Sequence, residues 1–458
     1  MGMASSQLSR RDFLRLGASV TAGALITGCA SVAPQPAGSA GRAPSAEMVE
    51  LSFDMYNFDP WLRALNDMFA DYMETHPGVT VKVESAPWEE FWPRQEARLA
   101  AGTPPDLSIG DPGYFGRYAH KGYYLAMEPC IEGKGVDLGQ WFESTINDAR
   151  YDSATGIVGQ GTLYGMPATF VGTVLYYNEN LFDAAGLAYP DDTWDRDDLL
   201  QAALALTLDA SGNRAGDPGF DPEDIAQWGI SMIGSYPIAV TVWNNGGELI
   251  SADQTECRLT EPQTVEMFEW LAALLHKHHV NPTPAQLEGL PNPFQVGKVA
   301  MTMDGTWNLD YFANNTEFNW DIAPVPLGTA GLDRVTYGGT NTLHIFKATA
   351  HPEAACDLIL WMAGPGGMAH FMKTGTPALI EAARSDAYLS GPPEHREVAV
   401  ELGNYSRTYY PGLKSDRWKE IYNAELEALW LNKAPAAAVL QTICDKITPI
   451  LQTPIDEL

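Results

Sequence analysis

Three short stretches place an aromatic ring beside glycine and small polar residues. "VWNNGGEL" sets Trp243 before Asn244, Asn245 and two glycines, "MDGTWNLD" sets Trp307 in a turn after Asp304 and Gly305, and "TYGGTN" sets Tyr337 before Gly338 and Gly339. An indole face stacks on the C–H face of a sugar ring, while neighbouring amides, carboxylates and backbone groups take its hydroxyls. That mix suits neutral carbohydrate. The alternative for each ring is core packing, because tryptophan is largely buried in most folds.

Bond-breaking chemistry has less support. The chain has no GxxxxGK(S/T), HExxH or G-x-S-x-G stretch, which removes the commonest phosphate-loop, zinc-protease and serine-hydrolase arrangements. "DASGNRAGDPGFDPED" is acidic and glycine-rich, but Phe220 stands where a calcium loop starting at Asp209 needs Glu, so a calcium site competes with a solvated turn. His276, His278 and His279 end a helical stretch, where positive charge suits the helix dipole as readily as a metal would suit the imidazoles. No metal and no cofactor is expected. The carboxylates are numerous enough for a glycosidase pair, but chain spacing does not report the separation such a pair needs.

The elements that position these residues alternate between short strands and amphipathic helices. "VELSFDMYNF" reads as a strand; "DPWLRALNDMFADYMETHPG" reads as a helix with Leu62, Leu65, Met68, Phe69, Tyr72 and Met73 on one face, stopped by Pro77 and Gly78. "VTVKVESA" alternates with period two, and the helix around "EEFWPRQEARLAAG" and the strand "DLSIG" follow. This rhythm predicts an α/β fold with open, mainly parallel sheets flanked by helices. Ligands in such sheets sit beyond the carboxyl ends of strands, which selects Asn57 to Pro60 and Gly110 to Tyr114 as candidate loops. Further on, "TVLYYN" is strand-like, Thr193 is placed to open the helix "TWDRDDLLQAALALT", and Thr260 with Gln263 forms a capping-box pattern before "VEMFEWLAALLHKHH". "GKVAMTMDGTW" alternates Val299, Met301 and Met303 inward and breaks at Gly305, and helices return in "HPEAACDLILWMAG" and "RWKEIYNAELEALWL".

The amino terminus is an address. Arg10, Arg11 and Phe13-Leu14 precede an apolar run from Leu16 to Gly28 that is too short to span a bilayer as a mature helix. "SRRDFLR" follows the twin-arginine export pattern, and "ITGC" resembles the lipoprotein box in which the cysteine, here Cys29, is acylated. Residues 1–28 are thus expected to be a signal peptide. Residues 29–46, rich in Ala, Pro, Ser and Gly, are expected to be a flexible tether. About 410 residues remain, enough for two or three domain cores. Loss of three arginines and one aspartate with the leader takes the net charge from −30 to −32, which makes nucleic acid and bulk anionic membrane poor partners. Cys130, Cys257, Cys356 and Cys444 lack zinc spacing and could form up to two disulfides in three connectivities, or stay free thiols.

From "DMYNFDPWLRAL" through "GTLYGMPATFVGTVLYYNENLFDAAGL", "TWDRDDLLQAA", "WNNGGELI", "PFQVGKVAMTMDGTW", "APVPLGTAG" and "HPEAACDLILWMAG" to "YYPGLKSDRWKEIYNAELEAL", the chain resembles the extracellular solute-binding proteins of family 1. These are the sugar-binding lipoproteins of ABC importers. The resemblance implies a type II two-lobed clamp without catalysis, acting as a monomer beside its permease subunits and held to the membrane through Cys29. It places lobe 1 at 47–167 plus 343–383 and lobe 2 at 168–342 plus 384–458, with any disulfide confined to one lobe. The cleft would be lined by "YNFDP" (Asn57, Phe58, Asp59), "PWEEFW" (Trp88, Glu90), "GDPGY" (Asp111, Tyr114), "PATF" (Thr169, Phe170), Trp243, Asp304, Trp307, "YGGTN" (Tyr337, Gly338, Gly339) and "NYSRTYYP" (Arg407, Tyr409). Arg407 could fork two hydrogen bonds to ligand oxygens or form an ion pair. A secreted glycoside hydrolase and a sensor lipoprotein not coupled to transport are the rival readings.

Overall fold

The computed structural model describes residues 48–458 except Ala330, Tyr410, Pro411 and Leu458; the leader, Cys29 and the tether lie outside the described residues. Strand β1 (Val49–Tyr56) pairs in parallel with β2 (Val79–Ala86) along its whole length and with β3 (Leu107–Ile109) on its other edge. Between β1 and β2 runs α1 (Asp59–Thr75), with Pro60 in its first turn, where the missing N–H is not needed. Its Trp61, Leu65, Met68, Phe69 and Tyr72 are buried, as the 3.6-residue period requires. Helices α2 (Trp88–Ala100) and α3 (Pro112–His120) follow β2 and β3.

Strand β4 (Met166–Asn178) is buried at all thirteen positions. Its first half pairs antiparallel with Thr336–Ile345 (β8), and its second half with Val299–Gly305 (β6) and Trp320–Ala323 (β7). Strand β5 (Ile225–Ser231) pairs in parallel with β6. The far end of β8 pairs with β3, so β4 and β8 carry one continuous hydrogen-bonded sheet from one set of strands to the other. Gly172 and Gly338 face each other in this passage. A Cβ on Gly172 would meet Leu402 at 2.7 Å, and one on Gly338 would meet Ser406 at 2.4 Å, so both positions need glycine for close backbone approach.

The longer helices of the second half are α4 (Arg196–Leu206), α5 (Ser235–Asn244), α6 (Pro262–His276), α7 (Ser415–Trp430) and α8 (Ala436–Leu451). Two helix starts differ from expectation. α4 is capped by Asp195 in a capping box with Asp198, not opened at Thr193, and α6 starts at Pro262 after Glu261 with no side-chain cap from Thr260. In both cases a residue nearer the first turn takes the cap position, which geometry confines to one residue.

Two large apolar clusters divide along β4 and β8. One joins Leu51–Ala168 to Leu343–Leu379, and the other joins Val171–Tyr337 to Tyr409–Leu451. Cys130–Cys356 lies within the first, and Cys257–Cys444 within the second. The 384–458 stretch also reaches the first half. Gly412 bridges Ile157, Leu413 packs beside Tyr151 and Val158, and the Thr408 hydroxyl donates to Asp148 at 2.5 Å.

Candidate functional site

The carboxyl end of β1 delivers Tyr56, the first turn of α2 delivers Trp88, and Trp92 follows one turn later on the same face. At the end of β3, Asp111 caps α3 by accepting from the Gly113 N–H at 2.8 Å, which turns Tyr114 toward α2. Tyr114 stacks on Trp92 at 3.7 Å and 6°, while Trp88 meets Tyr56 edge-on at 4.8 Å and Trp92 at 5.4 Å. Trp88 stays 40% exposed. Arg117 covers Tyr114 at 5.2 Å and pairs with Glu96 at 2.7 Å. These rings make the first wall.

A second wall grows from the other half. Tyr236, in the first turn of α5, stacks on Tyr337 of β8 at 4.1 Å and meets Tyr409 at 5.3 Å and Trp307 at 5.7 Å. Trp307 is half-buried and lies flat on Gly305, where a Cβ would meet the indole at 2.1 Å. Arg407, on strand β9 (Ser406–Arg407) beside Tyr337, lies over Trp243 at 4.3 Å and bonds both oxygens of Glu248 at 2.7 and 2.9 Å.

Asn341 of β8 ties the first wall to the strand passage. Its amide donates to the Tyr56 hydroxyl at 3.2 Å and to the Gly110 carbonyl at 3.4 Å, and its carbonyl accepts from Thr169 at 3.4 Å. Asp111 lies near enough to raise the Tyr56, Tyr236 and Tyr337 phenols, although burial is the larger cause for each. Burial likewise lifts the Asp304 carboxyl to about 6, against hydrogen bonds from the Gly305 N–H and Asn308. The Asp148 carboxyl rises to about 7 for the same reason, with Thr408 and the Thr340 backbone opposing.

The structure therefore gathers Trp88, Asp111, Tyr114, Trp307, Tyr337, Arg407 and Tyr409 around these walls. Asn57, just after β1, and Asp59 and Glu90, in the first turns of α1 and α2, stand exposed beside them. Phe58 packs toward the first core, and Phe170 turns into the core beside Phe142 at 5.5 Å. Thr169, Gly338 and Gly339 are buried in the strand passage, and Trp243 is 4% exposed. Tyr56, Trp92 and Asn341 were implicit in the lining segments but carried no role of their own. Tyr236 was missed, its only signal being a helix start, "GSYP", just after a strand.

The other candidates fold in on themselves. Asp209 accepts from the backbone N–H groups of Ser211, Asn213 and Asp221, closing the acidic loop as a turn, and the His276 ring bonds the Leu429 carbonyl. Among the described residues no group of three His, Cys, Asp or Glu side chains could hold a metal ion.

Residues 58–369 match the sequence profile of the bacterial extracellular solute-binding proteins. The chain belongs to that family. A Brucella abortus protein named as a binding protein is 24% identical over 82% of this solute-binding protein and 87% of its own length. An ABC substrate-binding protein of Listeria monocytogenes, solved in complex with cycloalternan, superposes with TM-score 0.76 at 24% identity, over 89% of this chain and all of that one. UgpB from Mycobacterium tuberculosis, solved with glycerophosphocholine, gives TM-score 0.73 at 20% identity over 87% and 98%. The α/β fold is thus that of the type II binding proteins. The family is extracellular, and among the described residues no helix is long and apolar enough to cross a membrane.

Proposed function

We propose that this solute-binding protein receives an oligosaccharide between its two aromatic walls and hands it to the permease of an ABC importer without chemical change. The observation that carries this reading is the pairing of walls. Trp88 and Tyr114 stand on one half, Tyr236 and Trp307 on the other, with Asn341 beside the first and Asp111 near rings of both. Stacked rings with polar groups at their edges grip sugar faces and hydroxyls together. Lobe 1 would be 47–167 plus 343–383 and lobe 2 would be 168–342 plus 384–458, closing about β4 and β8; the division of the two large cores supports this. The cycloalternan complex of the Listeria protein supports the ligand class.

A thermal-shift screen over neutral oligosaccharides tests the reading, because a ligand bound at 100 times its Kd adds about 2.7 kcal/mol of apparent stability. A stabilising sugar recovered unaltered supports it, whereas no stabilisation by any member of the panel rejects it. The anchor on Cys29 rests on "LITGC" and the Ala-, Pro-, Ser- and Gly-rich stretch 29–46 that follows it. Equal detergent partitioning of the wild type and Cys29→Ser would remove it.

One observation favours a hydrolase instead. A carboxyl lifted to about 6 in an aromatic cleft, as at Asp304, is the property a glycosidase acid needs. Both hydrogen bonds recorded for Asp304 lie within its own turn, from Gly305 and Asn308, which suits a structural role.

A further inference from the structure

Among the described residues, the cations lying over the wall rings Tyr114, Trp243 and Tyr409 are Arg117, Arg407 and Lys419. Each is already engaged. Arg117 pairs with Glu96, Lys419 donates to the Tyr409 carbonyl at 3.3 Å, and Arg407 gives a separate guanidinium nitrogen to each oxygen of Glu248. A guanidinium fork is the group that best matches a carboxylate or phosphate, and here an internal carboxylate already fills it. Asp111 lies near Tyr56, Tyr236 and Tyr337 and adds negative charge where the rings converge. UgpB shares the fold and was solved with glycerophosphocholine, a zwitterion, so the fold admits ligands bearing charged groups and side chains must set which charges are accepted.

We propose that Glu248 sets the charge selectivity of the cleft: by occupying the Arg407 fork it restricts the site to saccharides free of carboxylate, sulfate and phosphate. This rests on the carbohydrate reading above. An anionic sugar entering the wild-type cleft would have to break the Glu248–Arg407 pair, leaving one carboxylate without its partner, or sit unpaired beside Asp111. Removing the charge of Glu248 takes away the carboxylate that the Arg407 fork now pairs, so an anionic sugar then competes for that guanidinium with a neutral amide instead of a charge.

The test uses a neutral oligosaccharide that binds the full-length protein and the same oligosaccharide oxidised at C6 to the uronate. The wild type should bind the uronate at least about thirtyfold more weakly than the neutral sugar. Glu248→Gln should narrow that gap about tenfold or more, read as the ratio of uronate to neutral affinity within the same variant, and adding Arg407→Gln should abolish the gain. Raising salt from about 0.01 M to about 1 M, which shortens the screening length from 30 to 3 Å, should narrow the gap in the wild type too, a readout that needs no folded variant. Equal wild-type affinity for both sugars, a gap that a folded Glu248→Gln leaves unmoved, or a gap that salt leaves unmoved overturns the proposal while leaving carbohydrate binding intact. Failure of every neutral and oxidised sugar to bind overturns the carbohydrate reading and this proposal together.

Discussion

Arg407 lies 4.3 Å from the ring centroid of Trp243 and is held there by both carboxylate oxygens of Glu248. One indole face is therefore covered by a guanidinium, and the ring itself is 4% exposed within the second core. Such a ring holds the wall rather than the ligand. Trp243→Ala should lower the stability of the ligand-free protein by about 3 kcal/mol or more, with the affinity of the folded fraction little changed. Apo melting beside ligand titration checks this; a large loss of affinity with unchanged melting would make Trp243 a sugar platform.

Asp148 carries a pH signature. Burial lifts its carboxyl from 3.8 to about 7, so the fold favours the protonated form. The stability tied to it is complete below pH 3.8 and is lost as pH rises through about 7. Asp148→Asn should therefore melt higher than wild type at pH 8, by up to roughly 4 kcal/mol of stability, and match it near pH 4. Thermal melts across that range decide the matter; a variant less stable than wild type at pH 8 would show that Asp148 is needed as an anion.

His344 should have the opposite slope. Its ring lies between Tyr124 at 4.0 Å and Phe115 at 5.2 Å, and burial depresses its pKa from 6.5 to about 4. The unfolded chain takes up the proton first, so this group's share of stability is full above pH 6.5 and drains as pH falls toward 4. In the wild type, an NMR titration should leave His344 neutral at pH 5.5. Protonation there near pH 6.5 would contradict its packing.

Much of the fold could be read from the chain because α1 and β2 keep their periods. β4 could not be read whole: "MPATFVGTVLYYN" is buried on both faces and shows no alternation, which is why only its second half looked like a strand. The site was legible where one stretch held both ring and turn, as at Trp307. It was not legible where the deciding partner is distant, since Arg407 covers Trp243 from 164 residues away and Asn341 reaches Tyr56 across 285. Phe170 was misplaced because alternate residues of a doubly buried strand point to opposite faces.

The Asp304 carboxyl separates binding from hydrolysis. Incubation with a bound oligosaccharide for hours should return it uncut by both the wild type and Asp304→Asn, as followed by chromatography of the sugar. Cleavage by the wild type that disappears in Asp304→Asn would establish a glycosidase.

Calorimetric titration of a neutral oligosaccharide into the wild type, Trp88→Ala and Trp307→Ala tests the two-wall clamp most directly, because each variant removes a ring from one wall only. The wild type should bind at one site, and each variant, its fold intact, should lose about 1–2 kcal/mol, roughly five- to thirtyfold. Unchanged affinity in both variants, or loss from one wall alone, would contradict a sugar held between the two.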